Sequence, residues 1–133
     1  MTESTVFPTV TGPILIIDDD PVVRELLSTL LERHGYRVGQ ASSGSHALTY
    51  LNLNSPPSLI LLDMLMPAMD GWRFLEAFRL TTAWQTIPVI VITSMGIASP
   101  EWAASLGAAG LLKKPFDVDE LMQPVRQFCY DSH

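Results

Sequence analysis

Three runs of apolar residues constrain this chain more than any other feature: Ile14-Leu-Ile-Ile17, Leu59-Ile-Leu-Leu62 and Val89-Ile-Val-Ile92. None alternates with polar residues, so each reads as a strand covered on both faces, the habit of a central parallel sheet. Each also stops abruptly at a polar side chain, namely Asp18, Asp63 and Thr93. Two weaker segments complete the set. Tyr36-Arg-Val-Gly-Gln40 alternates and suits an edge strand, and Leu111-Leu112 ahead of Lys113 and Lys114 suits a fifth strand.

Helices fit between these strands. Pro21 follows Asp20 at a first helical position, and Leu26, Leu27, Leu30 and Leu31 form an apolar stripe that ends near Gly35. Ala47, Leu48 and Leu51 recur at helical spacing before Pro56-Pro57. Asp70-Gly71 opens a helix carrying Phe74, Leu75 and Phe78, with Asp70 read as its N-cap. Ser99-Pro100-Glu101 is an N-cap with a first-turn proline, leading to Gly107. Asp117-Val-Asp-Glu120 has the spacing of a capping box, with Asp in the capping position. Pro124 falls inside this last helix, where its ring displaces the carbonyl four residues back, so a kink or a short helix is expected.

The fold class that follows is α/β: one domain over residues 12–133, built as a doubly wound five-stranded parallel sheet with helices on both faces. A polar, Thr-rich segment at 1–11 is expected to be a loose tail. Right-handed crossovers put helices on both faces, and the binding crevice of such sheets lies beyond the carboxyl ends of the strands. Asp18, Asp63, Thr93 and Lys114 all stand at predicted ends of that kind. Topology thus brings four reactive side chains to one edge.

Composition excludes several classes. Apolar residues make up 47% of the chain and charged residues 17%, the reverse of a disordered segment. A formal charge of −6 without a basic cluster argues against direct nucleic-acid binding, which depends on neutralising phosphates. A lone Cys129 excludes an intramolecular disulfide and a cysteine-based zinc site, and fits a reducing compartment. No apolar run approaches the roughly 18 residues needed to cross a bilayer. The opening Met1-Thr-Glu-Ser lacks the basic start of a secretory signal, so a cytoplasmic location away from membranes is expected.

The strand ends carry the chemistry. Carboxylates crowded in Ile17-Asp-Asp-Asp-Pro21 repel one another unless a cation joins them. Magnesium (or manganese) fits, as a hard ion held by one or two carboxylates, waters and a phosphate oxygen. The alternative is that these acids only cap the next helix, where negative charge is favoured; Asp20 suits the cap, Asp18 and Asp19 the metal. Asp63 is a carboxylate after four apolar residues, costly to bury unless it is paired or reactive. Beside a magnesium ion it can attack phosphorus and form an acyl phosphate; otherwise it accepts loop N–H bonds. The Thr93 hydroxyl can donate to a phosphoryl oxygen, and the Lys114 ammonium can neutralise another. Lys114 precedes a proline, which favours an extended backbone and helps aim it inward, while Lys113 would point the other way.

Four motifs now stand in order: Ile-Ile-Asp-Asp-Asp-Pro at 16–21, Asp-Met-Leu-Met-Pro-Ala-Met-Asp-Gly at 63–71, Ile-Thr-Ser at 92–94 and Lys-Lys-Pro-Phe at 113–116. Together they resemble the receiver domain of a two-component response regulator, over about residues 14–128. The resemblance implies a flavodoxin-like sheet of order 2-1-3-4-5. It implies that Asp63 accepts a phosphoryl group from a sensor histidine kinase or a histidine phosphotransfer protein. Asp18, Asp19, Asp63 and the backbone carbonyl of Leu65 would hold magnesium, and Thr93 and Lys114 would contact the phosphoryl oxygens. Such a domain is a regulatory phosphoacceptor and not an enzyme, and it docks a downstream protein on helix 4–strand 5–helix 5. Trp102 and Leu106 can share a face of helix 4, either for that docking or packed against the sheet. Few residues follow the last helix, so no output domain is expected in this sequence, whether it acts alone or as part of a longer protein.

Three rivals fit less well. A phosphorylation-independent module of the same fold has no need of the site residues, and all are present here. A haloacid-dehalogenase-like phosphatase needs a second acid where this chain has Leu65, and its acid pair comes late in the chain. A flavin carrier needs a phosphate loop after the first strand.

Two departures from the family pattern matter. Leu111, three residues before Lys114, occupies the switch position where receivers usually carry an aromatic residue. A readout in which the Thr hydroxyl moves and that ring turns inward cannot operate in that form. Leu65 and Met95 are apolar where the family often has polar residues, and neither can hold an attacking water by hydrogen bonding. Slow loss of phosphate follows. Once phosphorylated, the protein should keep its added mass well beyond seconds in a time course of intact mass; a half-life of seconds under native conditions would overturn this.

Overall fold

The structure, a computed structural model, describes residues 12–129; the expected tail at 1–11 and the last residues, 130–133, lie outside the described part. Strand and helix alternate as β1 (Ile14–Ile17), α1 (Pro21–Arg33), β2 (Val38–Ala41), α2 (Gly44–Leu53), β3 (Leu59–Asp63), α3 (Asp70–Leu80), β4 (Val89–Thr93), α4 (Pro100–Ser105), β5 (Gly110–Lys113) and α5 (Val118–Phe128). Short 3-10 turns, Pro67–Met69 and Thr82–Trp84, flank α3. The strands form one parallel sheet in the order β2-β1-β3-β4-β5, as the resemblance implied.

Every residue of β1, β3 and β4 is buried, which is why their sequences do not alternate. Successive side chains still point to opposite faces, so each strand feeds two cores. Leu15, Ile17, Ile60, Leu62 and Val91 pack with Ala47, Leu51, Phe74 and Phe78 of α2 and α3. Ile14, Ile16, Leu59, Leu61 and Ile92 pack with Leu27, Leu31, Leu121 and Val125 of α1 and α5. At about 1.5–3 kcal/mol for each such side chain fully buried, these two layers dominate the stability of the fold.

Helix starts follow local chemistry. Asp20 Oδ1 accepts the Val22 N–H at 2.9 Å, and Ser99 Oγ accepts the Trp102 N–H at 3.1 Å. In the capping box, Asp117 Oδ1 accepts from the Glu120 N–H at 2.8 Å and Glu120 Oε1 accepts from the Asp117 N–H at 3.0 Å. Ser43 caps α2 through the His46 N–H, a start the apolar spacing did not reveal.

Several expectations change. Tyr36 is not in the edge strand, because its N–H donates to the Leu31 carbonyl at the exit of α1 and pairing begins at Ile14 with Val38. Asp70 is not an N-cap: it has helical angles as the first residue of α3, and its carboxylate accepts the Gly44 N–H at the start of α2. Pro124 does not shorten α5, which runs on to Phe128 with Leu121, Met122 and Val125 buried beneath it; tertiary burial outweighs the local cost of the ring. Of the two readings given for Trp102 and Leu106, the structure shows the packed one, with Trp102 edge-on to Trp72 at a centroid distance of 6.3 Å.

Gly71 ties this packing to the carboxyl edge of the sheet. A Cβ there would sit 2.9 Å from the Cα of Met64, the residue after Asp63. Gly71→Ala should therefore destabilise the protein by about 1–3 kcal/mol in denaturant titration, the usual range for overpacking. Gly96→Ala, where a Cβ meets nothing within 4 Å, should be close to neutral.

Candidate functional site

The register of the sheet builds the site. Ile17 pairs with Leu62 and Asp63 with Ile92, so β1, β3 and β4 end at one level and Asp18, Asp63 and Thr93 emerge together. Thr93 pairs with Lys113, and the Lys114 N–H donates to the Thr93 carbonyl at 2.9 Å, bringing the second lysine to the same edge. The Lys114–Pro115 peptide is cis. Lys113 points away, as strand alternation requires, and its Nζ donates to the Gly96 carbonyl at 3.3 Å.

Carboxylate oxygens of Asp18, Asp19 and Asp63 all lie within 4.8 Å of one another. Asp19 is exposed, whereas Asp18 and Asp63 retain only 3% and 5% of their accessible surface. One local device holds all three strand ends: the side chain accepts the N–H two residues on. Asp18 Oδ1 takes the Asp20 N–H at 2.9 Å, Asp63 Oδ1 takes that of Leu65 at 3.0 Å, and Thr93 Oγ1 takes that of Met95 at 3.1 Å. In this bond the Thr93 hydroxyl is the acceptor, so its own proton is not consumed by the turn.

The Asp18 carboxyl is pushed above the usual carboxylate range. Burial is the largest cause; the hydrogen bond from Asp20 opposes it, Asp63 adds to it, Lys114 opposes it and Asp19 adds to it. Burial first, and two neighbouring acids after it, make this carboxyl more basic, the condition in which added positive charge is favoured. Three oxygen ligands, two of them dehydrated, fit a hard divalent ion such as magnesium.

Leu65 sits beside Asp63 with 48% of its surface exposed, and nearby Ala68 adopts φ 61°, ψ 29°, a left-handed conformation costing an L-residue roughly 1–2 kcal/mol. Leu111 is half-buried in the core that also holds Trp102, not at the acidic edge. Two residues at the edge escaped the sequence reading. Arg24 Nη1 donates to the Asp18 carbonyl at 2.7 Å, and Arg24 Nε donates to Gln40 Oε1 at 3.2 Å. Their separation in sequence, on α1 and β2, gives no local signal of that contact.

A five-stranded parallel sheet with a carboxylate cluster at its carboxyl edge defines a receiver-type α/β domain. The family profile of the response regulator receiver domain matches residues 14–126, and the chain belongs to that family. It is 40% identical over 114 residues to the DNA-binding dual master transcriptional regulator RpaA of Synechocystis, covering 85% of this chain and 47% of that protein. Thus it spans about half the length of that relative. It is 36% identical over 116 residues to sporulation initiation phosphotransferase F of Bacillus subtilis, covering 86% of this chain and 91% of that one. Among solved structures, the response regulator protein TrrA of Thermotoga maritima in complex with Mg(2+)-BeF superposes with a TM-score of 0.75 at 27% identity, over 88% of this chain and 98% of that chain.

The raised Asp18 pKa has a definite sign in stability. The folded state holds this proton more tightly than the unfolded chain, so metal-free stability falls as pH rises from the ordinary Asp value through the raised one. The penalty is fully present above the folded pKa. Asp18→Asn should therefore raise the melting temperature of the metal-free protein at pH 7, while added magnesium should stabilise the wild type far more than the variant. A lower metal-free melting temperature in Asp18→Asn would contradict this.

Proposed function

We propose that this chain is the phosphoacceptor of a two-component phosphorelay, taking a phosphoryl group from the phosphohistidine of a sensor kinase or phosphotransfer protein onto Asp63 in a magnesium-dependent step. The observation that carries this is the meeting of Asp18, Asp19 and Asp63 within 4.8 Å at an edge shared with Thr93 and Lys114. An Asp63 oxygen attacks phosphorus and a P–O bond forms. The P–N bond breaks, its electron pair staying on the imidazole nitrogen. Asp18, Asp19, Asp63 and the Leu65 carbonyl would hold the cation. When bound, it neutralises charge on the phosphoryl oxygens. Lys114 neutralises a further oxygen, and Thr93 donates its hydroxyl proton to another.

The donor approaches over a largely apolar cleft of about 790 Å³ beside Lys114, lined by Val23, Leu26, Leu30, Phe116 and Val118. Leu26 is 69% exposed there, which suits transient burial by a partner. The consequence of phosphorylation is altered docking of a downstream protein on α4, β5 and α5, with the domain acting as a regulator in the cytoplasm and not as an enzyme. No helix among the described residues is long and apolar enough to cross a membrane. RpaA is named as DNA-binding, but this chain matches only 47% of its length, and its own charge of −6 disfavours direct DNA contact. Leu111 favours one other role, docking that does not depend on phosphorylation; the complete acidic edge weighs against it.

Incubation with acetyl phosphate, with and without magnesium, followed by intact mass, tests the mechanism. One added phosphoryl group is expected, dependent on magnesium and absent in Asp63→Asn. Equal labelling without metal, or in the variant, would refute it.

A further inference from the structure

We propose that Arg24 is a positioning residue that sets the relative placement of Asp18 and Asp19 by clamping the peptide between them to β2. The inference rests on the magnesium reading of the acidic cluster. The carbonyl that accepts from Arg24 Nη1 at 2.7 Å belongs to the Asp18–Asp19 peptide, so its orientation governs how the two carboxylates lie relative to each other. Arg24 reaches back to it from the first turns of α1, where its own N–H is bonded to the Asp20 carbonyl at 3.0 Å. The same guanidinium donates through Nε to Gln40 Oε1 at 3.2 Å.

Gln40 precedes Ala41, and the Ala41 carbonyl accepts the Asp18 N–H at 3.1 Å. Both peptide groups flanking the Asp18 Cα are therefore anchored to β2, one directly and the other through Arg24 and Gln40. Asp19 itself is exposed and lies just past the strand, so packing does little to fix it. The rigid fork of a guanidinium can hold two acceptors at a set angle, which an ammonium cannot. The two hydrogen bonds of the guanidinium go to the Asp18 carbonyl and Gln40 Oε1, so the action assigned to Arg24 is on the backbone.

Calorimetric titration of the unphosphorylated chain with magnesium tests this, beside the melting temperature of each metal-free protein. Arg24→Ala should weaken magnesium binding about 10-fold, the scale of losing a group that orients a metal ligand. Gln40→Ala should weaken it less, and Arg24→Lys, which cannot span both acceptors, should recover only part of the loss. Metal-free melting temperatures should stay close to wild type. With acetyl phosphate, Arg24→Ala should need more magnesium for half-maximal labelling yet approach the wild-type rate at saturation. Unchanged magnesium affinity in Arg24→Ala, or a lowered melting temperature as its sole effect, would overturn the proposal. Full recovery by lysine would also overturn it, by assigning the effect to charge. Asp19→Asn is the control. If it binds magnesium as the wild type does, the metal reading itself has failed and the role of Arg24 falls with it; if it loses binding while Arg24→Ala does not, only the Arg24 inference fails.

Discussion

Two carboxylates, those of Asp18 and Asp63, are kept almost free of water at the point where the central strands stop. That dehydration is the constraint to which the rest of the structure answers. Burial pushes the Asp18 carboxyl above the usual carboxylate range, which disfavours its charged form in the metal-free protein, and hydrophobic burial elsewhere offsets that cost. The two apolar layers of the sheet do so, because every apolar residue of β1, β3 and β4 contributes to one of them.

The same strands that sustain the acids also aim them. Parallel pairing in simple register makes three strands end together, and a side-chain-to-backbone bond at each end turns the chain away while leaving the functional group at the edge. Residues with no chemistry of their own then set the precision. Gly71 lets α3 approach Met64, Asp70 joins the start of α3 to the start of α2, and Arg24 joins the acidic turn to the edge strand.

What was legible in the sequence was whatever is decided locally or by strand pattern. Buried strands declare themselves by apolar runs whose polar ends are Asp18, Asp63 and Thr93, and the weaker Leu111-Leu112 segment points to Lys114. Asp20, Ser99 and Asp117 were readable as caps because a cap bonds within three residues of itself. The misreadings share a cause. Asp70 reads from sequence as the cap of its own helix because its actual partner, Gly44, becomes a neighbour only when α2 and α3 pack. Arg24 and Gln40 give no local signal for the same reason, and the alternation around Tyr36 does not show that its N–H is bonded to the Leu31 carbonyl of α1. The strand order and the carbonyl of Leu65 came from family likeness and not from residue chemistry; the order matches the structure, and the carbonyl remains part of the proposed mechanism.

The distribution of basic residues has a practical side. Of eight basic side chains only two are lysines, and both stand at the end of one strand, Lys114 toward the acids and Lys113 out to the loop that follows β4. Side-chain amines are therefore not spread over the surface as they are on most proteins. Any chemistry directed at lysine side chains, such as lysine crosslinking, is therefore concentrated on the acidic edge. A protein immobilised through its lysines would turn that edge toward the support.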